Sequence, residues 1–147
     1  WDSVKYEPGT LKVVAYKNGK FWAVDSVETA GNAASLQLKA DRDSIANNGK
    51  DLSFITVRVL DAKGAPAPTA GNPITFSVSG PGEMVATDNG DPADLHSFAS
   101  RQRNAFCGKA LAIVRAIPGR NGVIIIHAAA EGLASADIIV HSIQLEK

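Results

Sequence analysis

The sequence predicts an all-β fold, a sandwich or a barrel, from three observations. Short stretches of β-branched or aromatic residues alternate with polar ones, so the dominant period is two residues and not 3.6. Gly, Pro, Asn and Asp separate these stretches at intervals of about 8–12 residues, as in sandwiches and barrels. No stretch sustains the spacing of an amphipathic helix.

The front of the chain predicts a β-hairpin. Stretches 11–16 and 21–28 flank Asn18-Gly19, a dipeptide that supplies the positive φ angles of a tight type I′ turn. An isolated hairpin is marginal in water. We therefore expect residues 1–31 to be a segment without a core of its own and residues 33–147 to be the independent sandwich.

Three later stretches place apolar residues at alternate positions, which predicts strands with one buried face. These inward residues are Leu36, Leu38 and Ala40, then Ile55, Val57 and Val59, then Ile74, Phe76 and Val78. We expect 52–60 to be a central strand with Thr56 and Arg58 facing solvent. Residues 93–107 lack clean alternation and form the longest connection, a feature often associated with function.

The charge balance argues against two classes of partner. Fifteen Lys and Arg residues offset fifteen Asp and Glu residues, for a formal net charge of zero, so no overall field attracts nucleic acid or an anionic membrane. No apolar run approaches the roughly 20 residues that a membrane-spanning helix requires. The single cysteine, Cys107, excludes a disulfide framework within this sequence.

Two sets of motifs carry a resemblance to a known family. The first is Trp1-x-x-Val4-x-Tyr6-x-Pro8-Gly9-x-Leu11, Tyr16-x-x-Gly19 and Thr29-Ala30-Gly31. The second is Leu36-x-Leu38-x-Ala40-Asp41-Arg42, Gly49-x-Asp51-Leu52, Val57-x-Val59-x-Asp61-x-x-Gly64, Asn89-Gly90-Asp91-Pro92 and Arg103-x-x-Phe106-x-Gly108-x-Ala110. In order and spacing they resemble bacterial β-galactosidases of glycoside hydrolase family 2. One departure is Cys107, where the resemblance leads us to expect a polar residue such as Asn.

The resemblance implies a fold and an accessory role. Residues 1–31 resemble the closing strands of the small β domain that follows the barrel in these enzymes, so we expect a piece cut from that domain. Residues 33–147 resemble the next domain, an immunoglobulin-like β-sandwich, here of about seven to nine strands. The resemblance implies a non-catalytic module that braces the barrel or an interface, with other domains of the parent glycosidase as partners and a periplasmic or extracellular location.

Within the long 93–107 segment, two side chains invite specific predictions. We expect Arg103 to hold this loop through a carboxylate or through carbonyl oxygens, and Phe106 to anchor the end of the loop in the core. The loop is the element that we expect to reach another domain. Strand edges of the front segment should fold back on residues 33–147 or pair with a second copy of the chain.

Catalysis is not expected of this chain. A glycosidase needs two carboxyl groups facing each other across a sugar. The glutamates are scattered beside turns and strand ends: Glu7, Glu28, Glu83, Glu131 and Glu146. We assign no catalytic residue and no cofactor.

Metal binding has two candidates, each with a simpler explanation. Asp88, Asn89, Asp91 and Asp94 make an oxygen-rich loop that could hold calcium, but turn-forming Asx residues explain it better. His127 and His141 are predicted on neighbouring strands and His96 in the long loop, without further ligands at suitable spacing. We predict no metal site.

Sugar contact by modules of this kind relies on exposed aromatic rings that stack on pyranose faces. The candidates are Trp1, Tyr6, Trp22 and Phe98, and we retain Trp22 and Phe98. Burial against the sandwich is the simpler expectation for the first three. Two alternative functions stay open, a bacterial surface adhesion repeat of the invasin type and a carbohydrate-binding module.

Overall fold

A computed structural model describes residues 3–144, and these residues form β-strands joined by turns and loops. The strands are β1 (Thr10–Lys17), β2 (Lys20–Glu28), β3 (Ala33–Ala40), β4 (Ser44–Ala46), β5 (Leu52–Asp61), β6 (Pro73–Ser79), β7 (Gly82–Asp88), β8 (Gln102–Asn104), β9 (Lys109–Ala116), β10 (Gly122–Ala130) and β11 (Ala136–Ile143). In the described part of the chain, no helix is long and apolar enough to cross a membrane.

Nine of these strands form the predicted sandwich. One sheet has the order β4-β11-β10-β6-β8 and the other the order β3-β5-β9-β7. Neighbouring strands are antiparallel except β4, which runs parallel to β11. The first two strands of the sandwich, β3 and β4, thus lie in different sheets, and the two-sheet arrangement confirms the immunoglobulin-like class.

The core lies between the two sheets and follows the predicted alternation. Ile55, Val57 and Val59 of β5 are buried, as are Ile124 and Ile126 of β10. The inward positions predicted on β3 and β6 are buried or pack against this core. Burying one such aliphatic side chain stabilises a fold by about 1.5–3 kcal/mol. The period-two pattern therefore located both the strands and the core.

Two short strands were not predicted, and both owe their pairing to tertiary context. β4 lies just before the polar turn at 47–51 and pairs with β11 over three residues. β8 lies inside the segment expected to be irregular and pairs with the first residues of β6. Three residues are too few to show an alternation, so no local signal marks them.

The front hairpin, β1 with β2, forms as predicted. Asn18 and Gly19 both have positive φ, at 52° and 74°, as the type I′ turn requires. The pairing passes from Ala15 opposite Ala23 to Tyr16 opposite Phe21, so Trp22 is the extra residue of a β-bulge. The bulge gives Trp22 no partner directly across the ladder.

The expectation that the front segment folds back on the sandwich was wrong. Trp22 is 66% exposed, and Tyr6 is exposed as well. The hairpin closes on itself at its base, where the Gly9 amide donates to the Thr29 hydroxyl and the Thr29 amide donates to the Gly9 carbonyl. It therefore leaves the sandwich as a separate ribbon. Trp1 lies outside the described residues, and pairing with a second copy stays a prediction.

The expected core role of Phe106 was also wrong. Phe106 and Lys109 exchange two backbone hydrogen bonds across Cys107-Gly108, and both central residues have positive φ, at 50° and 70°. The result is a two-residue turn, which leaves the Phe106 ring 41% exposed. A Cβ on Gly108 would lie 2.3 Å from the Ala67 carbonyl oxygen, so this glycine is required.

The same turn gives a physical reason for the departure at Cys107. Asn adopts a left-handed backbone more readily than other residues with a side chain, and Cys has no such preference. We predict that Cys107→Asn raises the free energy of unfolding by about 0.5 kcal/mol in urea titrations. Cys107→Ala is the control, because it removes the thiol without favouring positive φ. An equal gain from Cys107→Ala would contradict the backbone explanation.

Candidate functional site

The longest irregular segment of the described chain, residues 89–101, connects β7 to β8 and is built from successive Asx turns. The Asp88 carboxylate accepts the amides of Asn89 and Gly90, and the Asn89 side-chain oxygen accepts the amide of Asp91. Asp91 then accepts the amide of Ala93. Asx side chains bond in this way to the backbone just ahead of them, so the loop is locally specified by its sequence.

A buried arginine organises the loop from beneath. Arg103 lies on β8 and is only 1% exposed. One terminal nitrogen, Nη2, donates to the carbonyl oxygens of Thr87 at 2.9 Å and Ser97 at 2.8 Å. The other, Nη1, donates to Asp94 Oδ2 at 2.9 Å and to the His96 carbonyl at 3.1 Å. The guanidinium thus joins β7 to both sides of the loop tip.

The prediction that Arg103 ties down the loop through a carboxylate or carbonyls is confirmed, and both kinds of acceptor are used. An arginine suits this position because its planar group carries five donors and stays charged. Its ε nitrogen also lies 3.4 Å from the Thr87 hydroxyl, and its central carbon lies 5.9 Å from the centre of the Phe98 ring. The guanidinium thereby donates to three backbone carbonyls, and that of Ser97 also accepts the Ser100 amide.

Asp94 balances this buried charge. The His96 amide donates to Asp94 Oδ1 at 2.9 Å, and the Arg103 guanidinium and the His96 ring hold the carboxylate as well. The His96 amide first, and then Arg103, hold the pKa of Asp94 well below its ordinary value. Sequence reasoning identified Asp94 only as a turn residue or calcium ligand. The nine-residue gap to Arg103 gave no local signal of their pairing.

An open cleft of about 580 Å³ lies against this loop. Asp91, Asp94, His96, Leu95 and Asn104 are among its lining residues. Most of the polar groups that line it already form hydrogen bonds within the chain. The side-chain nitrogen of Asn89, another lining residue, donates to Asp94 and to the Asn104 carbonyl. The cleft therefore results from the fixed conformation of residues 89–101, here called the pinned loop. It offers a ligand few polar groups without a hydrogen-bond partner.

The calcium candidates are explained by the same contacts. The oxygens of Asp88, Asn89, Asp91 and Asp94 accept backbone amides, and Asp94 also binds Arg103. Within residues 3–144, no group of three or more His, Cys, Asp or Glu side chains is arranged to hold a metal ion. Turn formation accounts for this acidic loop.

The histidines lie where the sequence placed them. His127 on β10 and His141 on β11 are on neighbouring strands, but His127 is opposite Asp137 and His141 is opposite Val123. His127 Nδ1 lies 2.6 Å from Asp137, and His96 lies in the loop. The structure does not bring the three imidazoles together at one site.

The glutamates are dispersed as predicted. Glu28 pairs with Lys63 at 2.8 Å and Glu83 pairs with Arg115 at 2.7 Å. The first pair lies at the end of β2, and the second lies on the outer face of β7 and β9. Glu146 lies outside the described residues.

The two predicted sugar-contact residues are both exposed but belong to different elements. Trp22 is the bulge residue of the hairpin, and the Lys17 ammonium lies 5.1 Å above its ring. Phe98 is in the pinned loop and is 64% exposed. In the described part of the chain, neither ring lines the cleft beside that loop. They do not form one stacking platform.

Removing the buried guanidinium should lower the free energy of unfolding. Arg103→Met removes the buried cationic partner of Asp94 and the guanidinium donor of three carbonyls, so we expect a loss of about 3 kcal/mol in unfolding free energy. The matched control is Arg115→Met, which breaks the exposed pair with Glu83 and should cost at most about 1 kcal/mol. Urea titrations followed by circular dichroism measure both. Equal losses in the two variants would contradict the assignment of Arg103 as the organising residue.

Asp94 makes the stability depend on acidic pH. Because its pKa is lower in the folded chain than its ordinary value of 3.8, the folded state binds fewer protons. The stabilisation is present above that ordinary value and is lost as the pH falls through the folded-state pKa. We predict that Asp94→Asn reduces the loss of stability between about pH 4 and pH 2 without abolishing it, because the pKa of Asp61 is lowered too. Urea midpoints across this range that fall in parallel for both proteins would contradict the prediction.

Comparison with known protein families gives two matches along the chain. Residues 36–139 match the family model described as glycoside hydrolase family 2 C-terminal domain 5. Residues 1–23 match a domain of unknown function, DUF4982. The two matched regions thus lie on either side of the linker between β2 and β3.

Relatives and solved structures agree with the first match. The chain is 40% identical over 142 residues to a protein named β-galactosidase BoGH2A from Bacteroides ovatus, covering 97% of this chain and 17% of that protein. It superposes with a TM-score of 0.90 and 32% identity on a glycosyl hydrolase family 2 member from Bacteroides cellulosilyticus, covering 96% of this chain and 18% of the other.

Two further structures define the range of the likeness. A family 2 β-glucuronidase superposes with a TM-score of 0.84 and 25% identity over 100% of this chain and 15% of its own. A C-terminal fragment of intimin shares the fold alone, with a TM-score of 0.54 and 18% identity over 74% of this chain and 33% of the fragment. The chain spans less than a fifth of each of the glycosidases it matches here. The chain belongs to the glycoside hydrolase family 2 C-terminal domain 5 family, a non-catalytic accessory part of glycosidases.

Proposed function

We propose that this chain is the accessory region of a longer family 2 glycosidase, in which residues 33–147 form a rigid packing module and residues 1–31 complete a preceding β domain. The observation that carries the proposal is the hairpin, which displays apolar side chains on both faces. Water-exposed apolar surface of this extent marks an interaction site. Within the parent protein that surface is covered by the rest of the preceding domain.

The strand register assigns the hairpin side chains to two faces. Exposed residues on one face are Val14, Tyr16, Phe21 and Val24, and those on the other are Leu11, Val13 and Val27. A two-stranded ribbon cannot bury either face by itself, and sheets of this size gain stability only from further strands or a covering layer. Both faces therefore support membership of a larger β domain.

The junction between the two parts supports a defined geometry. The Gly31 amide donates to Asp61 Oδ2 at 2.8 Å, and Lys63 pairs with Glu28 at the end of β2. The Gly31 amide first, and then the Ala65 amide, hold the pKa of Asp61 below its ordinary value, and Glu28 raises the pKa of Lys63. These contacts bind the linker to the turn after β5, so the sandwich would be held in one orientation against its neighbour.

The parent's substrate is proposed from the relatives. The protein with 40% identity is named a β-galactosidase, and one of the superposed structures is a β-glucuronidase. We favour β-galactosides as substrates of the parent, with its two catalytic carboxyl groups outside residues 1–147. The same resemblance supports a periplasmic or extracellular location, which cell fractionation tests.

The experiment compares the full-length parent with the parent lacking residues 33–147 and with the 147-residue chain alone. We expect the full-length protein to hydrolyse 4-nitrophenyl β-galactoside, the shortened one to unfold at a lower temperature, and the 147-residue chain to give no turnover. A 4-nitrophenyl β-glucuronide assay is the substrate control. Turnover by the 147-residue chain, or an unchanged unfolding temperature after the deletion, would sink the proposal.

We also propose that the isolated chain self-associates through exposed strand edges. The outer edges of β1 and β2 are unpaired in the described structure, and their side chains are exposed. Sedimentation of the 147-residue chain tests this. Association that disappears in the full-length parent is expected if the preceding domain covers the hairpin.

A second candidate function is sugar binding by Trp22 or Phe98, supported by the exposure of both rings. Titration of the full-length parent, with its catalytic carboxyl groups replaced by amides, with galactosides or plant glycans tests it by calorimetry. If the rings bind sugar outside the catalytic site, Trp22→Ala or Phe98→Ala should weaken the affinity about fivefold or more, since ring contacts worth on the order of 1 kcal/mol correspond to that factor. An unchanged isotherm in both variants removes this candidate.

A further inference from the structure

The two ends of the sandwich differ in the apolar surface of their loops. Loops at the end joined to the hairpin, here called the hairpin end, are 62–72, 89–101, 105–108 and 131–135. They expose three large hydrophobic side chains, Leu95, Phe98 and Phe106. The far-end loops, 41–43, 47–51, 80–81 and 117–121, expose none among the residues that the structure describes. The asymmetry marks the hairpin end as the contact surface.

Leu95 is the extreme case, since 97% of it is exposed. Both of its neighbours in sequence are fixed by the buried guanidinium, because Arg103 Nη1 donates to the Asp94 carboxylate and to the His96 carbonyl. The loop therefore does not let Leu95 turn inward to bury itself. An apolar side chain is presented to solvent on a rigid support.

Phe98 belongs to the same support. Its carbonyl accepts the Thr87 amide at 2.7 Å, which attaches it to β7, while its ring lies beside the Arg103 guanidinium. Its ring is nevertheless largely exposed. Burying a charged group costs free energy, and here the buried charge holds two apolar side chains in water. Among the residues that the structure describes, both side chains keep most of their surface in water.

The occupant must lie close to the hairpin. Residues 29–32 connect β2 to β3 and span at most about 14 Å when extended. Gly31 is also bonded to Asp61 at the hairpin end. The hairpin therefore leaves the sandwich at the same end as the loops 89–101 and 105–108. The hairpin and sandwich superpose together on a longer family 2 chain, with a TM-score of 0.90 over 96% of the residues.

We propose that Leu95, supported by Phe98, docks into an apolar pocket on the part of the parent polypeptide that precedes the sandwich. The pinned loop is then a preformed docking element that contacts the preceding part of the parent. Rigid presentation lowers the entropic cost of docking, because the loop is ordered before contact is made. The proposal rests on the proposed function, since it requires the longer parent.

The test is Leu95→Asp in the full-length parent, with Val123→Asp as the matched control. Val123 is a half-exposed aliphatic residue at the start of β10, at the far end. The readout is cleavage by elastase at Ala30 in the linker, together with the unfolding temperature. Leu95→Asp should accelerate cleavage about tenfold or more, because losing one buried leucine changes an opening equilibrium by at least that factor. Val123→Asp should leave the rate unchanged.

The same substitution in the 147-residue chain separates docking from folding. Leu95 is almost wholly exposed there, so Leu95→Asp should not shift the urea midpoint. Wild-type cleavage rates for Leu95→Asp in the parent, or equal acceleration by Val123→Asp, would overturn the proposal. Failure of the proposed function gives a different result: the full-length parent would hydrolyse neither the β-galactoside nor the β-glucuronide.

Discussion

The buried guanidinium of Arg103 is the interaction on which the conformation of the 89–101 loop depends. Its acceptors lie on β7 and on both sides of the loop tip, so one side chain fixes residues that the chain separates by up to 16 positions. A lone buried charge would be prohibitive, and Asp94 supplies the balance. A hydrophobic residue at position 103 could fill the same volume. It could not donate hydrogen bonds to the carbonyls of Thr87, His96 and Ser97.

Asp61 performs a comparable task where the hairpin joins the sandwich. Its two carboxylate oxygens accept the amides of Lys63 and Ala65 in its own turn and of Gly31 in the linker. The turn that ends β5 thus also anchors the linker between the hairpin and the sandwich. In both places a carboxylate accepts several donors, backbone amides at Asp61 and one backbone amide with three side chains at Asp94. The sandwich supplies rigidity, and these two acidic residues determine where its loops point.

The sequence contained the strands and turns, because both are set by neighbouring residues. Alternation over β3, β5 and β6 identified their buried faces, and Asn18-Gly19 identified the hairpin. The resemblance to family 2 glycosidases, carried by ordered motifs, anticipated the family. Even the unexpected Cys107 pointed to a real feature, a left-handed turn position that Asn would occupy more easily.

The features that sequence reasoning missed depend on contacts between distant residues. Phe106 looked like a core residue, yet the turn at 107–108 leaves its ring partly in water. Trp22 and Tyr6 were expected to be buried because the front segment was expected to pack on the sandwich, but the sandwich does not cover them. Leu95 gave no signal, since a single leucine in a polar loop has no periodicity to read.

The most direct measurement of this account is amide hydrogen exchange of the 147-residue chain with and without Arg103. In Arg103→Met, amides that the loop protects, such as those of His96 and Ser100, should exchange much faster, while amides of β5 and β9 keep more protection than the loop. Loop amides as well protected in the variant as in the original chain would show that something other than the guanidinium holds residues 89–101, and the central claim would fail.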